Sequence, residues 1–301
     1  MLLSNEKELF SNVIRDVVDK YKISPLYVEK DFYAISVLKE LISRNENFVF
    51  KGGTSLSVCQ KAINRFSEDI DISFAFETIT VGQRKKIKQD FFESISAVNL
   101  EVKNPENIRS RRVFNRYICP YISLWNNQED TVIVEWATQT PSFPIEEKTA
   151  QTIIGRYLEE IGRKDLVEKY NLESFKIKTL TKERTFVDKV FAICDYHISK
   201  KLERQSRHIY DIHQLLPLIK LDNALIDLFD EVKRYRQNLE TCYSAKEGMS
   251  ISSLMMDLIE EKTYQKDYNE KTFPLLYDHV KYETAIESIT KVAMFLKQNN
   301  L

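Results

Sequence analysis

Hydrophobic positions recur every three to four residues along most of this chain, a period that predicts helices. In "NEKELFSNVIRDVVDKY", Leu9, Val13, Val17 and Tyr21 share one stripe. The next run, "SPLYVEKDFYAISVLKELISR", opens with Ser24 as N-cap and Pro25 at the first helical position, where no N–H is needed. Two short segments break the helical period. "NFVFK" has strand length and ends at a glycine pair. "DIDISFAF" alternates strictly, with Ile70, Ile72, Phe74 and Phe76 on one side and Asp69, Asp71 and Ser73 on the other. Between them, "TSLSVCQKAI" spaces Leu56, Cys59 and Ile63 as the buried face of a short helix. "VGQRKKIKQDFFESISAV" is helical, and "RYICPYISLW" and "TVIVEWAT" are strands joined by the polar loop "NNQED". A soft boundary follows at "TPSFPIEEKTAQ", and from about residue 150 the pattern predicts almost only helices. The expected fold is α+β: a small mixed sheet with helices over residues 1–148, then an all-helical domain over residues 149–301.

The alternating strand carries the chemistry. Carboxylates at i and i+2 project from one strand face and can share a hard divalent cation such as Mg²⁺ or Mn²⁺, which takes oxygen ligands together with substrate phosphates. A two-metal phosphoryl-transfer site needs a third acid from a neighbouring strand. Glu135, set inside the apolar run "TVIVEWA", is the candidate, because a buried carboxylate is costly without a partner. Gly52 and Gly53 stand where a strand passes into a helix, so backbone N–H groups there can approach a triphosphate, and Thr54 and Ser55 add hydroxyls. The spacing is not that of a P-loop, since Lys51 precedes the glycines. A glycine pair or an acid pair alone is more often a turn or a solvated cluster; the three features in this order are far more specific.

Composition narrows the setting. No apolar run approaches the roughly 18 residues of a membrane span, and charges arrive too early in "MLLSNEKELF" for a secretory signal. Cys59, Cys119, Cys194 and Cys242 are scattered, which argues against a zinc site or disulfide framework and for a reducing cytoplasm. The net charge of −1 gives no global basic signature, so any nucleic acid must be met by a local patch.

The arrangement resembles the nucleotidyltransferase fold shared with DNA polymerase β. More specifically, "FVFKGGTSLS" followed by "RFSEDIDISF" is similar to the AbiEii/AbiGii toxin family of nucleotidyltransferases. "VEKDFYAISVLKEL" resembles that family's helix before the first strand, and "ERTFVDKVFAI" and "RHIYDIHQL" resemble its two downstream motifs. The likeness touches segments from about residue 27 to 215. It implies a Mg²⁺-dependent enzyme that moves a nucleoside monophosphate from an NTP to an acceptor hydroxyl, as the toxin of a toxin–antitoxin or phage-defence pair. Some members of the family act on the acceptor end of tRNA. Gly52, Gly53, Thr54 and Ser55 would line the triphosphate pocket, Asp69, Asp71 and Glu135 would hold metal, and Lys189 would meet the nucleotide phosphates. Asp211 would stand near nucleotide or acceptor. Many relatives have Glu where this chain has Asp188, so that acid is assigned no catalytic role.

Other residues stay open between two roles. Lys189 without the resemblance is a solvent-facing helical lysine. Asp211, four residues after Arg207, is either a surface pair or a site residue. Arg65 touches phosphates or caps a helix, and Lys51 reaches phosphates or decorates a strand edge. His197, His208 and His213 lack cysteine or carboxylate groupings at ligand spacing and read as packing or surface residues. "IRSRRVFNRY" interleaves Arg109, Arg111, Arg112 and Arg116 with Phe114 and Tyr117, as an RNA grip or as a solvated basic face. Two rival functions remain: a glycosyltransferase, whose DxD would follow a nucleotide-binding βαβ unit absent here, and a catalytically silent protein that binds a nucleotide or partner.

Overall fold

A computed structural model describes residues 1–75, 80–110, 112–138 and 140–301; Phe76 and Arg111 lie outside the described residues. The chain forms two compact units, Met1–Cys59 with Ser67–Thr179 and Gln60–Phe66 with Leu180–Leu301.

The first unit runs α1 (Lys7–Tyr21), α2 (Pro25–Arg44), β1 (Phe48–Lys51), α3 (Gly52–Val58), β2 (Ile70–Phe74), α4 (Val81–Ala97), β3 (Phe114–Ile122), β4 (Glu129–Ala137), β5 (Ile145–Ala150), α5 (Ile153–Glu160), α6 (Lys164–Lys169) and β6 (Phe175–Leu180). Six strands form one sheet in the order β3-β4-β2-β1-β6-β5. β1 pairs antiparallel with β2 and parallel with β6; β2 runs parallel to β4, and β3 antiparallel to β4.

Strand alternation decides what the sheet buries. Phe48, Phe50, Ile70, Ile72, Val132, Val134, Trp136 and Tyr117 meet Leu38 and Leu41 of α2 and Ile87, Phe91 and Ile95 of α4 in one core. Each such side chain contributes about 1.5–3 kcal/mol on leaving water. A second core joins Phe10, Val13 and Val17 of α1 to Val28 and Phe32 of α2, Ile154 and Leu158 of α5, and Leu166 of α6. Because α2 contributes to both cores, its charged run Glu29–Lys30–Asp31 is drawn inside.

The second unit holds α7 (Lys182–Ser199), α8 (Arg207–Leu215), α9 (Asn223–Arg236), α10 (Ile251–Glu260), the single turn α11 (Gln265–Asp267) and α12 (Tyr282–Gln298). Thr181 caps α7 by accepting from Arg184 N.

The helical half begins later than the pattern predicts. β5 and β6 fall beyond or across the expected division near residue 148, and the compact units part at Thr179 and Leu180. The segments "IEEKTA", with three charges in a row, and "FKIKTL", with charges on alternate positions, are short and lack the apolar run of a central strand. β6 is nevertheless internal, paired to β1 through Val49↔Lys178 and Phe50↔Thr179. The expected helix after the glycines also stops early, at Val58, and the chain then enters the second unit at Gln60.

Candidate active site

In the first unit the sheet register collects the predicted residues in one line. Arg116 of β3 lies opposite Glu135 of β4, Glu135 beside Asp71 of β2, and Asp71 opposite Lys51 of β1. Register partners point to the same face, and neighbouring strands are about 4.8 Å apart. Two carboxylates therefore stand side by side, flanked by a cation at either end. The opposite face, through Ile70, Ile72, Val134 and Trp136, is core.

The glycine turn is fitted to this row. Gly52 has φ +76°, in the left-handed region, and a Cβ there would lie 2.0 Å from Asp71 Oδ2 and 2.9 Å from its Cγ. Only glycine satisfies both demands. Thr54 and Ser55, expected beside a triphosphate, are buried at 3% exposure each. The Thr54 hydroxyl donates to the Asp69 carbonyl at 2.6 Å and lies 3.1 Å from Ser67 Oγ. It thus ties α3 to the chain that enters β2.

Glu135 is half-buried and accepts from Arg116 Nε at 2.6 Å, while the Arg116 side chain is half exposed. Among the described residues no group of three or more His, Cys, Asp or Glu side chains is gathered to hold a metal ion. The donor chemistry of Asp69, Asp71 and Glu135 still fits a hard cation: all are oxygen donors, and two are in register on adjacent strands. Glu135 would exchange Arg116 for the ion.

The second unit holds a separate charge cluster. Arg65 donates from Nε to Asp211 Oδ1 and from Nη2 to Asp211 Oδ2, both at 2.7 Å, and Lys189 Nζ donates to Oδ2 at 2.6 Å. Asp211 is fully buried, and Arg65 and Lys189 nearly so. Burial alone would raise the Asp211 pKa, but Arg65 and Lys189 hold it well below the usual carboxylate range. Burial pulls Lys189 below its ordinary value, with Arg65 adding to the effect against the attraction of Asp211. Within this trio two cations face one carboxylate.

Lys189 is therefore not a solvent-facing lysine, and Asp211 is not a surface residue. Arg65 is bound side-on to Asp211 across 146 positions of sequence, so no local pattern could reveal the pair. Asp188 accepts from Arg184 Nε at 3.1 Å within α7 and lies 3.7 Å from Arg236 Nη1 of α9, so it is held by structural partners. His197 and His213 bond Thr263 and Ser288 hydroxyls, and His208 stacks on Tyr196. All three are packing groups.

Of the basic stretch, Arg109, Arg112 and Arg116 are exposed, as is Phe114. Tyr117 is fully buried and stacks on Phe91 with ring centroids 4.9 Å apart, so it offers nothing to RNA. Lys30 carried no role in the sequence, yet it reaches Glu68, the residue before Asp69. Its signal was three consecutive charges flanked by apolar residues, Leu26–Val28 before and Phe32–Ile35 after.

Comparison with known proteins adds to this geometry. Residues 36–288 match the family described as nucleotidyl transferase AbiEii toxin, of type IV toxin–antitoxin systems. Among solved structures the chain is similar to MenT4, a nucleotidyltransferase toxin from Mycobacterium tuberculosis, at 17% identity and a TM-score of 0.63, covering 96% of this chain and 89% of that one. A candidate nucleotidyltransferase from Helicobacter pylori is similar at 15% identity and a TM-score of 0.53, covering 92% and 97%. No curated protein sequence matches. At these identities the structural likeness speaks for the fold. No helix among the described residues is long and apolar enough to cross a membrane.

Proposed function

The chain belongs to the AbiEii nucleotidyl transferase toxin family, whose systems pair a toxin with an antitoxin, and from that premise we propose that it transfers a nucleoside monophosphate from an NTP to the hydroxyl of an RNA acceptor, tRNA included. The observation that carries this reading is the row Arg116–Glu135–Asp71–Lys51, with Gly52 closed against Asp71. Asp69, Asp71 and Glu135 would hold Mg²⁺ or Mn²⁺. A divalent cation there supplies charge neutralisation for the triphosphate and activates the acceptor. The acceptor oxygen forms a bond to the α-phosphorus, the bond from that phosphorus to the bridging oxygen breaks, and pyrophosphate leaves. The acceptor proton passes to solvent.

The roles of this chain's own residues follow from charge and place. Lys51, beside Asp71, and the backbone N–H groups after Gly52 orient phosphate oxygens. In the second unit, Lys189 belongs to a trio in which two cations face one carboxylate, a charge balance that suits a phosphate. Arg65 and Asp211 hold that lysine in place. Positioning and charge do most of the work in such chemistry. The acceptor is met by Arg109, Arg112 and Arg116, exposed around Phe114; the cognate antitoxin is the expected protein partner.

The test is transfer of α-labelled nucleotide from each NTP to total RNA. The wild type should label RNA, and Asp69→Ala/Asp71→Ala should not, while its melting temperature stays level or rises, since neighbouring carboxylates repel when no cation is bound. Transfer by the double variant would remove the acids from the mechanism. Label on protein alone would remove RNA as acceptor and leave nucleotidyl transfer standing.

A further inference from the structure

Asp71 and Asp69 are held in place by different means. Asp71 lies within the ladder, with register partners on both sides and Gly52 against its carboxylate. Asp69 precedes β2, whose pairing begins at Ile70. Two side chains grip the segment that enters there. One is Thr54, on the Asp69 carbonyl. The other acts one residue earlier.

Lys30 projects from α2 with its side chain 11% exposed, and Nζ lies 2.7 Å from Glu68 Oε2 and 2.7 Å from Asp130 Oδ1. Glu68 leads into β2, the strand of Asp69 and Asp71. Asp130 is the second residue of β4, five residues before Glu135. A single buried ammonium therefore ties the segment entering one acid-bearing strand to the early part of the other. Its neighbours on α2 bind elsewhere: Glu29 accepts from Ser123 Oγ and Leu124 N, and Asp31 accepts from Ile153 N. Consecutive helical residues point about 100° apart, so three adjacent charges anchor α2 to three segments. Of these three, Lys30 is the one that reaches the acids' strands.

We propose that Lys30 is a positioning residue for the metal-binding acids: through Glu68 and Asp130 it fastens the segment that enters β2 at Asp69 to the early part of β4, the strand that carries Glu135 five residues further on. The proposal rests on the metal reading above. Groups that orient metal ligands without touching the metal typically change affinity by about 10–100-fold when removed. Lys30 binds no metal itself, and its ammonium has two carboxylates to satisfy, so its contribution is to geometry.

The experiment measures Mn²⁺ binding to the resting full-length protein by electron paramagnetic resonance, with Mn²⁺ alone as probe. Lys30→Met should weaken binding by about 10-fold, the low end of that range. Lys30→Arg, which keeps the charge and can span two carboxylates, should recover most of it. Lys30→Met leaves Glu68 and Asp130 repelling each other and can unfold the unit. The triple variant Lys30→Met/Glu68→Gln/Asp130→Asn removes that repulsion along with the tie. It should fold with a far-UV spectrum like the wild type and still bind Mn²⁺ about 10-fold more weakly. A folded triple variant with wild-type Mn²⁺ affinity overturns the positioning role and leaves the metal site standing. A wild type that holds no Mn²⁺ overturns the metal reading, and the proposal with it.

Discussion

Replacing Gly52 with alanine tests the fit between the glycine turn and the acid pair without any substrate. Two separate costs arise. At φ +76° an L-residue is disfavoured by about 1–2 kcal/mol. The new methyl would also fall 2.0 Å from Asp71 Oδ2 and 2.9 Å from its Cγ, so the carboxylate must retreat by about 1 Å or more. Overpacking of that kind typically costs about 1–3 kcal/mol. In an Asp71→Ala background the two closest atoms are gone, and only the 3.2 Å approach to the residue-71 Cβ remains. The cost of Gly52→Ala should then fall back to the backbone share, about 1–2 kcal/mol.

The chain's two tryptophans, Trp125 and Trp136, both lie in the first unit, and Trp136 is fully buried next to Glu135. Tryptophan fluorescence in urea therefore follows the unfolding of the unit that holds Gly52. Four proteins form the cycle: wild type, Gly52→Ala, Asp71→Ala and the double variant. The expected coupling is at least about 1 kcal/mol, with alanine at 52 better tolerated when Asp71 is absent. The effect of Asp71 on stability cancels from the cycle. Equal costs of Gly52→Ala in the two backgrounds would refute the steric link, whatever either variant did to activity.

In the second unit, Asp211→Asn should destabilise more than Lys189→Met. The first strands two buried cations, a loss of about 3–5 kcal/mol, whereas the second leaves both Asp211 oxygens on Arg65; thermal unfolding followed by far-UV dichroism ranks them, and the reverse order would refute the shared-carboxylate account. Desolvation pushes the Asp31 carboxyl up to about 7, although Ile153 N–H favours its charged form. A carboxyl raised on folding adds stability that is complete below its unfolded pKa and is lost as pH climbs through the folded one. The wild type should therefore gain stability from pH 8 towards pH 4 relative to Asp31→Asn, and parallel pH profiles would count against it. Reversing exposed Arg109 and Arg112 to Glu should weaken RNA binding and flatten its salt dependence by about 0.7 for each single-strand phosphate no longer neutralised. NTP affinity should be unchanged, and an unaltered salt slope would place RNA elsewhere.

What was legible in the sequence was what a local period can encode. The alternation of "DIDISF" assigned Ile70 and Ile72 to the core and Asp71 to the other face, because a strand has no freedom to do otherwise. The apolar run "TVIVEWA" likewise marked β4 and singled out Glu135 as an acid in need of a partner. Periodicity could not supply register, and register makes Glu135 the neighbour of Asp71 and Arg116. Nor could it find β6, whose "FKIKTL" alternates charge and owes its internal place to pairing with β1. Arg65, Lys189 and Asp211 were each visible as charges, but the only pairing that sequence offered among them, Asp211 with Arg207, is not the one taken in space. Burial decides between such partners. A carboxylate with no access to water must be matched by whichever cations the fold brings to it, while a surface pair such as Arg207 and Asp211 would gain only about 0.2–0.5 kcal/mol. Burial likewise separates Lys30 from the chain's many other lysines. Three consecutive charges on a helix with an apolar majority cannot all face solvent, so each must have a fixed partner inside, and those partners define which segments the helix holds together.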